Sequence, residues 1–372
     1  MTGKLLLIGF STIFITAATA ADRLPFWESR PVEGDPLFFV QSEPDQNGQA
    51  ILAKAPLLFT PQSAPALRSA TGEVTYELGK DFTWEPGTRE IQLTPGTRIP
   101  FKKKAELYPA PNTPNSYHQA KDGKNWMLFG EGRFFHDLES AAYYPTAETW
   151  SGSVPQPATE AQLGGFRGKL IAGGTVKVVT LGDSISTGAN ASGAVNAPPG
   201  QPGYPGLVAQ GLEDRFGVKV VSKNLSVGGM HTVWGVEQIP SVVAEGPDLL
   251  IIAFGMNDAS GQTPVADYAS RTKEIADRVR AARPGCAVIL VATMTANPEW
   301  AHARPELYPV YRDALAKLTG RDVTLADVTA VWSAVLEKKS YLSLSGNGLN
   351  HPNDFGHRVY ADVILSVIGQ KK

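Results

Sequence analysis

The chain of 372 residues carries a formal net charge of -2, and 42% of its residues are hydrophobic. This length allows one large or two smaller globular domains, while the neutral balance gives no electrostatic basis for nucleic-acid binding. Cys286 is the only cysteine, so an intramolecular disulfide is excluded, and we interpret its side chain as a small buried hydrophobic group.

Residues 1–20 have the three parts of a secretory signal peptide. Lys4 gives a positive start, residues 5–15 are apolar, and Ala18, Thr19 and Ala20 form a small-residue cleavage site. The apolar stretch is too short for a comfortable transmembrane helix, and no other long apolar run follows. We therefore expect cleavage after Ala20, no membrane insertion of the mature protein, and a secreted or periplasmic location.

Residues 22–150 are predicted to form an accessory β-sandwich domain of the jelly-roll kind. Short apolar or alternating runs recur there, separated by turn-forming pairs such as Pro86-Gly87 and Asp122-Gly123. Several short strands at such spacing are typical of antiparallel β domains. Residues 151–168 are polar and rich in proline and glycine, which predicts an interdomain linker.

Residues 169–372 alternate between strand-like and helix-like segments. The predicted strands are Val176–Leu181, Val218–Val221, Leu249–Phe254, Ala287–Met294 and Val323–Ala326. The predicted helices are Tyr204–Phe216, Val265–Ala282, Leu307–Leu318, Val328–Lys338 and Asp354–Ile368. Near-continuous apolar strands between amphipathic helices indicate a parallel sheet covered on both faces. We predict a three-layer α/β/α domain of the flavodoxin-like sort.

Polar and glycine-rich segments follow these strands. Ser184 comes after the first strand in the segment VKVVTLGDSISTG, NLSVGG follows the second, GMND follows the third, and HPND precedes the last helix. Each segment alone can be a helix cap or a tight turn. Together they place a serine, a glycine turn, an asparagine and a histidine at the carboxyl edge of the sheet, where ligands of α/β proteins bind.

These four segments resemble the blocks of the SGNH (GDSL-type) hydrolase superfamily. The resemblance assigns the nucleophile to Ser184 and the general base to His351. It assigns the oxyanion hole to the amides of Ser184 and Gly229 and to the side chain of Asn257. A glycine suits the second block because the backbone must approach the substrate closely. The absence of a G-x-S-x-G segment argues against an ordinary α/β-hydrolase.

One position departs from the superfamily pattern. The aspartate usually found three residues before the histidine is replaced by Gly348, and no carboxylate occurs between Tyr341 and Asn350. The group that orients His351 is therefore either an acid from another loop or a backbone carbonyl, as in a Ser–His dyad. We favour the dyad and leave the acid unassigned, and we interpret Asp354 as a helix-terminus residue.

The predicted substrate is an acetylated glycan such as xylan, from which the enzyme removes O-acetyl groups. A signal peptide, a β domain before the catalytic one and a neutral charge balance all favour an extracellular polysaccharide. Trp234 and Trp300 are candidate sugar platforms, with core packing as the alternative. A lipase- or thioesterase-type hydrolase and a non-catalytic carbohydrate-binding envelope protein are the competing hypotheses, and the sequence does not separate an esterase from an acyltransferase.

No cofactor or metal is expected. The histidines show neither H-x-x-x-H nor H-E-x-x-H spacing, and neither a phosphate-binding loop nor a dinucleotide fingerprint is present.

Overall fold

The computed structural model describes residues 24–29 and 31–371, and the predicted signal peptide lies outside these residues. A strand-rich N-terminal part is followed by an α/β part, which confirms the predicted fold class. None of the helices in the described part of the chain is both long and apolar enough to cross a membrane.

The N-terminal part is a β domain of short strands. Its strands are β1 (Val32–Leu37), β2 (Phe39–Gln41), β3 (Lys54–Pro56), β4 (Ala66–Ser69), β5 (Thr75–Tyr76), β6 (Phe82–Trp84), β7 (Glu90–Leu93), β8 (Phe101–Lys103), β9 (Ser116–Gln119), β10 (Trp126–Leu128) and β11 (Ser140–Tyr144). They form a four-stranded sheet in the order β1-β11-β4-β5, a five-stranded sheet in the order β6-β7-β3-β2-β8, and the pair β9-β10. All neighbouring strands are antiparallel except β2 and β8.

The predicted linker contains a helix in its second half. Helix α1 (Glu160–Ala172) begins after Thr159, whose backbone N–H donates to Gln162 Oε1 at 2.9 Å, and it buries Leu163, Phe166 and Leu170. The expectation of a linker through residue 168 is therefore wrong from residue 160 onward. The pair Gly164-Gly165 hid the helix, because glycine lowers helix propensity although burial of one apolar face compensates for it.

The C-terminal part is built on one parallel sheet. Its strands are β12 (Thr175–Gly182), β13 (Lys219–Asn224), β14 (Leu249–Ala253), β15 (Ala287–Ala292) and β16 (Val323–Asp327). The sheet order is β13-β12-β14-β15-β16, which is the flavodoxin-like order 2-1-3-4-5. Every residue of β14 and β15 is buried, as expected for strands covered on both faces.

Nine helices accompany this sheet in the described part of the chain. They are α2 (Ser184–Thr187), α3 (Tyr204–Phe216), α4 (Thr232–Glu237), α5 (Ile239–Glu245), α6 (Met256–Ser260), α7 (Val265–Ala282), α8 (Leu307–Ala316), α9 (Val328–Leu336) and α10 (Asp354–Ile368). The sequence predicted α3, α7 and α10 with these limits. The sequence did not predict the short helices α2, α4, α5 and α6. Each has at most seven residues, which is too few for apolar side chains to recur at helical spacing.

The two parts pack against each other through buried polar contacts. One continuous apolar core contains residues from both. Lys339 Nζ lies 2.7 Å from Asp35 Oδ1, and both side chains are fully buried. Within the β domain Tyr144 donates its hydroxyl to the same Asp35 at 2.6 Å, and between the two parts Asn353 donates to the buried Glu139 at 2.9 Å. Since a buried charge is tolerated only when it is paired, the Lys339–Asp35 contact fixes how the two parts dock.

Candidate active site

The serine predicted as nucleophile lies at the carboxyl end of β12. The strand ends at Gly182, where a Cβ atom would lie 2.3 Å from Ser186 Oγ and 2.5 Å from the Ala253 carbonyl, so only glycine fits. Asp183 then caps α2 by accepting the Ile185 N–H at 3.0 Å. This turn makes Ser184 the first residue of α2 and leaves its own N–H without a partner inside the helix.

The predicted base lies against this serine. Ser184 Oγ is 2.9 Å from His351 Nε2, although the two residues are 167 positions apart. The loop before α10 holds the histidine, because Asn347 Oδ1 accepts the N–H of Leu349, Asn350 and His351 at 3.0 to 3.1 Å. The structure therefore brings the two residues of the predicted pair into hydrogen-bond contact.

A side-chain amide orients the other ring nitrogen. His351 Nδ1 is 2.7 Å from Asn190 Oδ1, so Nδ1–H donates to the amide oxygen and Nε2 is left to accept the serine proton. Asn190 is buried, and its φ of 63° is one that asparagine adopts more readily than most residues. The sequence predicted that an acid or a backbone carbonyl orients His351. In the structure the orienting group is instead the side-chain amide of Asn190.

The segment that carries Asn190 is fixed by the beginning of α10. His357 is fully buried, and its Nε2 lies 3.0 Å from the carbonyl of Ala189. Asp354 Oδ1 accepts the Ser192 N–H at 2.7 Å. Asp354 is thus the first residue of its helix, as interpreted from the sequence, and it also binds the loop after the nucleophile.

Burial sets the protonation of the site. It lowers the pKa of His351 to about 4, with a smaller contribution from the nearby His357. At neutral pH the imidazole of His351 is therefore uncharged and able to take a proton. Burial raises the pKa of the Asp183 carboxyl to about 7, and Asp183 Oδ2 has no hydrogen-bond partner among the described residues.

The second and third blocks meet beside the serine. A Cβ on Gly228 would lie 3.7 Å from Ser184 Cβ, and the next residue, Gly229, is exposed with a φ of 78°. Asn257 is the second residue of α6 and donates its side-chain N–H to the Met230 carbonyl at 2.9 Å. One hydrogen of the Asn257 amide thereby remains for another acceptor.

The two candidate sugar platforms occupy different environments. Trp300 is only 8% exposed, and its indole N–H has no hydrogen-bond partner among the described residues. A ring this buried offers no open face for stacking, so core packing accounts for it. Trp234 is half-buried, with its ring edge-to-face with Phe254 at 6.3 Å.

Three or more His, Cys, Asp or Glu side chains do not come together as a metal site anywhere in residues 24–29 and 31–371.

Part of the chain is similar to a known family of ester hydrolases. Residues 180–359 match the model of the GDSL-like Lipase/Acylhydrolase family. The resemblance inferred from the four sequence blocks is thus confirmed. No curated protein matches the chain.

Several solved structures resemble the chain at low identity. A two-domain esterase active on acetylated mannans, co-crystallized with mannopentaose, is 21% identical with a TM-score of 0.44, over 56% of this chain and 53% of that chain. The chain thus spans about half the length of that esterase. Axe2, an acetylxylan esterase from Geobacillus stearothermophilus, is 19% identical (TM-score 0.44, over 54% of this chain and 97% of that chain). A putative GDSL-like lipase from Parabacteroides merdae is also 19% identical (TM-score 0.45, over 53% and 96%).

Proposed function

We propose that the protein is a secreted serine esterase that removes O-acetyl groups from a polysaccharide or oligosaccharide through an acyl-enzyme on Ser184. The observation that carries the proposal is the 2.9 Å contact between Ser184 Oγ and His351 Nε2 at the carboxyl edge of the sheet. A serine hydroxyl is a weak nucleophile until a base removes its proton. The lowered pKa of His351 supports this role, because the imidazole is neutral at the pH of most environments.

The reaction has two halves. Ser184 Oγ attacks the ester carbonyl carbon while its proton moves to His351 Nε2, and the negative charge on the carbonyl oxygen is met by the N–H groups of Ser184, Gly229 and Asn257. The imidazolium then protonates the departing sugar oxygen, which leaves an acyl-enzyme. Water, deprotonated by His351, attacks this ester in the same way and releases acetate and free serine.

The surroundings of the serine favour a short acyl group on a large neutral alcohol. Gly229 is exposed, and a Cβ built on it would meet no atom within 4 Å, so the oxyanion side is open to a bulky substrate. Gly228 has no side chain beside Ser184, which leaves space for a small acyl group. The carboxylate of Glu131 lies 3.9 Å from His351 and disfavours anionic esters by charge repulsion.

A lipid-ester or thioester hydrolase is the second candidate. Val227 and Val233 are 43% and 42% exposed on either side of the glycine pair. These apolar side chains next to the candidate oxyanion hole can contact a longer acyl chain.

The test measures acetate release from acetylated xylan beside hydrolysis of p-nitrophenyl acetate and p-nitrophenyl decanoate. We expect activity on xylan and on the short ester that is lost in Ser184→Ala and in His351→Ala. Ser222→Ala, which changes an exposed serine on β13, is the matched control and should keep full activity. Preference for decanoate would support the second candidate, and unchanged hydrolysis by Ser184→Ala would overturn the mechanism.

A further inference from the structure

The β domain occupies the space beside the position where the family places its aspartate. Gly348 has a φ of 88°, and a Cβ on it would lie 2.5 Å from the Leu128 carbonyl and 2.6 Å from the Phe135 ring. Leu128 ends β10, and Phe135 is buried in the segment that follows it. Residues 128–135 of the β domain therefore lie directly on the histidine loop and leave no room for a side chain at position 348.

The same segment brings a carboxylate to the histidine. Glu131 Oε1 lies 3.9 Å from His351 Nδ1, which is too far for a hydrogen bond but close enough for charge attraction. The nearby cation Arg133 is already engaged, because its guanidinium donates to both carboxylate oxygens of Asp137 at 2.9 to 3.1 Å.

Neither Asn190 nor Glu131 alone reproduces an aspartate. Asn190 accepts the Nδ1–H of His351 at 2.7 Å but carries no charge. Glu131 carries a charge but does not hold the ring. An aspartate in a serine hydrolase does both, since it fixes the imidazole tautomer and stabilises the imidazolium formed during the reaction.

We propose that two positioning residues from different domains divide the task of the missing aspartate. Asn190 of the α/β domain orients the ring of His351, and Glu131 of the β domain stabilises its positive charge during turnover. This inference rests on the proposed function, because it assumes that His351 gains a proton in the reaction. It gives the β domain a part in the chemistry through the segment that covers Gly348.

The test is a double-mutant cycle of Glu131→Gln and Asn190→Asp, assayed with p-nitrophenyl acetate. Glu131→Gln should lower kcat by up to about fivefold with little change in KM, since one exposed charge near the imidazolium is lost. Loss of the anion also destabilises the protonated ring, so the acid limb of the kcat profile should move to lower pH. The exposed Glu85 of the same domain provides the control Glu85→Gln, which should change neither quantity.

Asn190→Asp should make Glu131 dispensable. The aspartate would accept the hydrogen bond from His351 and also carry the negative charge. The substitution breaks no hydrogen bond of Asn190 Nδ2, which has no partner among the described residues. In this background Glu131→Gln should change kcat less than about twofold. An equal effect in both backgrounds, or an acid limb that stays in place, would overturn the division of roles.

A salt titration decides the case if Asn190→Asp does not fold. The Glu131 side chain is 58% exposed, so raising NaCl from about 0.05 M to about 0.5 M should screen its charge and lower wild-type kcat while leaving Glu131→Gln unchanged. Parallel salt dependence of the two proteins would contradict the proposal. Failure of the proposed function is distinguishable, because it would appear as a wild type inactive on every ester or as an active Ser184→Ala.

Discussion

The nucleophile turn and the histidine loop face each other across 2.9 Å, and the β domain packs directly on the second of them. The nucleophile turn (residues 182–188) is held mostly by neighbours in sequence, such as the cap from Asp183 to Ile185 and the hydroxyl of Thr187 on the Ser184 carbonyl. The histidine loop (residues 345–353) has local hydrogen bonds too, such as those to Asn347 Oδ1, but it is also held by distant groups. Asn297 donates to the Gly348 carbonyl at 2.8 Å, and the β domain packs on the same glycine.

This difference predicts which variants lose rate alone and which lose rate together with stability. On the serine side of the site, which we call the nucleophile half, a side chain can be removed with little effect on the fold. A change in the histidine loop disturbs the docking of two domains, so the rate and the free energy of unfolding should fall together.

Asn257→Ala should have the largest effect on rate. It removes one donor to the developing oxyanion, and kcat should fall by about 10²- to 10³-fold. The loss of the hydrogen bond to the Met230 carbonyl should lower the free energy of unfolding by only about 1 kcal/mol. Steady-state kinetics and thermal unfolding of the same samples make the measurement. Ser260→Ala, on the same helix, is the control, since Ser260 only donates to the Met256 carbonyl. A rate loss below about threefold would remove Asn257 from the oxyanion hole.

Gly348→Asp tests the histidine half. The family pattern alone suggests that an aspartate here should improve the enzyme, but we expect both kcat and the free energy of unfolding to fall, the latter by about 3 kcal/mol. The reason is a φ of 88° combined with the contacts to Leu128 and Phe135.

Urea unfolding of Gly348→Asp beside Gly285→Asp separates these two causes. Gly285 has a φ of 85° but open space around it, so its variant has only the backbone strain. Equal losses of stability in the two variants would mean that packing of the β domain on the loop contributes nothing.

Asp183→Asn concerns the nucleophile half and should have the smallest effect on rate, with its main effect on the pH dependence of stability. The pKa of Asp183 is raised from its ordinary 3.8 to about 7 by burial, so its contribution to stability is present below pH 4 and is lost as the pH rises through 7. Asparagine keeps a capping side chain but does not ionise. The variant should therefore gain about 4 kcal/mol of unfolding free energy relative to wild type between pH 4 and pH 8. Urea unfolding of both proteins across this pH range measures the effect. A difference in unfolding free energy that does not change with pH would contradict the prediction.

The sequence predicted what short segments determine. Apolar runs and helical periodicity located the parallel sheet and gave α3, α7 and α10 with their observed limits. The two motif residues Ser184 and His351 were also predicted, because each lies in a distinctive segment at the edge of the sheet.

The sequence did not predict what depends on distant contacts. Asn190 contacts a residue 161 positions away, and its only local signal is a polar side chain six residues after the nucleophile. Glu131 had no signal at all, since nothing in its segment indicates that the β domain reaches the histidine. Trp300 follows a strand as a ligand-binding residue can, but the packing of the domains buries it.

The fully buried Lys339–Asp35 pair has a consequence for motion. Hinge opening between the domains would separate this pair and also the contact of Lys339 Nζ with the Pro56 carbonyl. Opening would also expose the apolar core that the two parts share, so we expect the open form to be rare. Substrate must then reach Ser184, and product must leave it, without any swing of one domain away from the other.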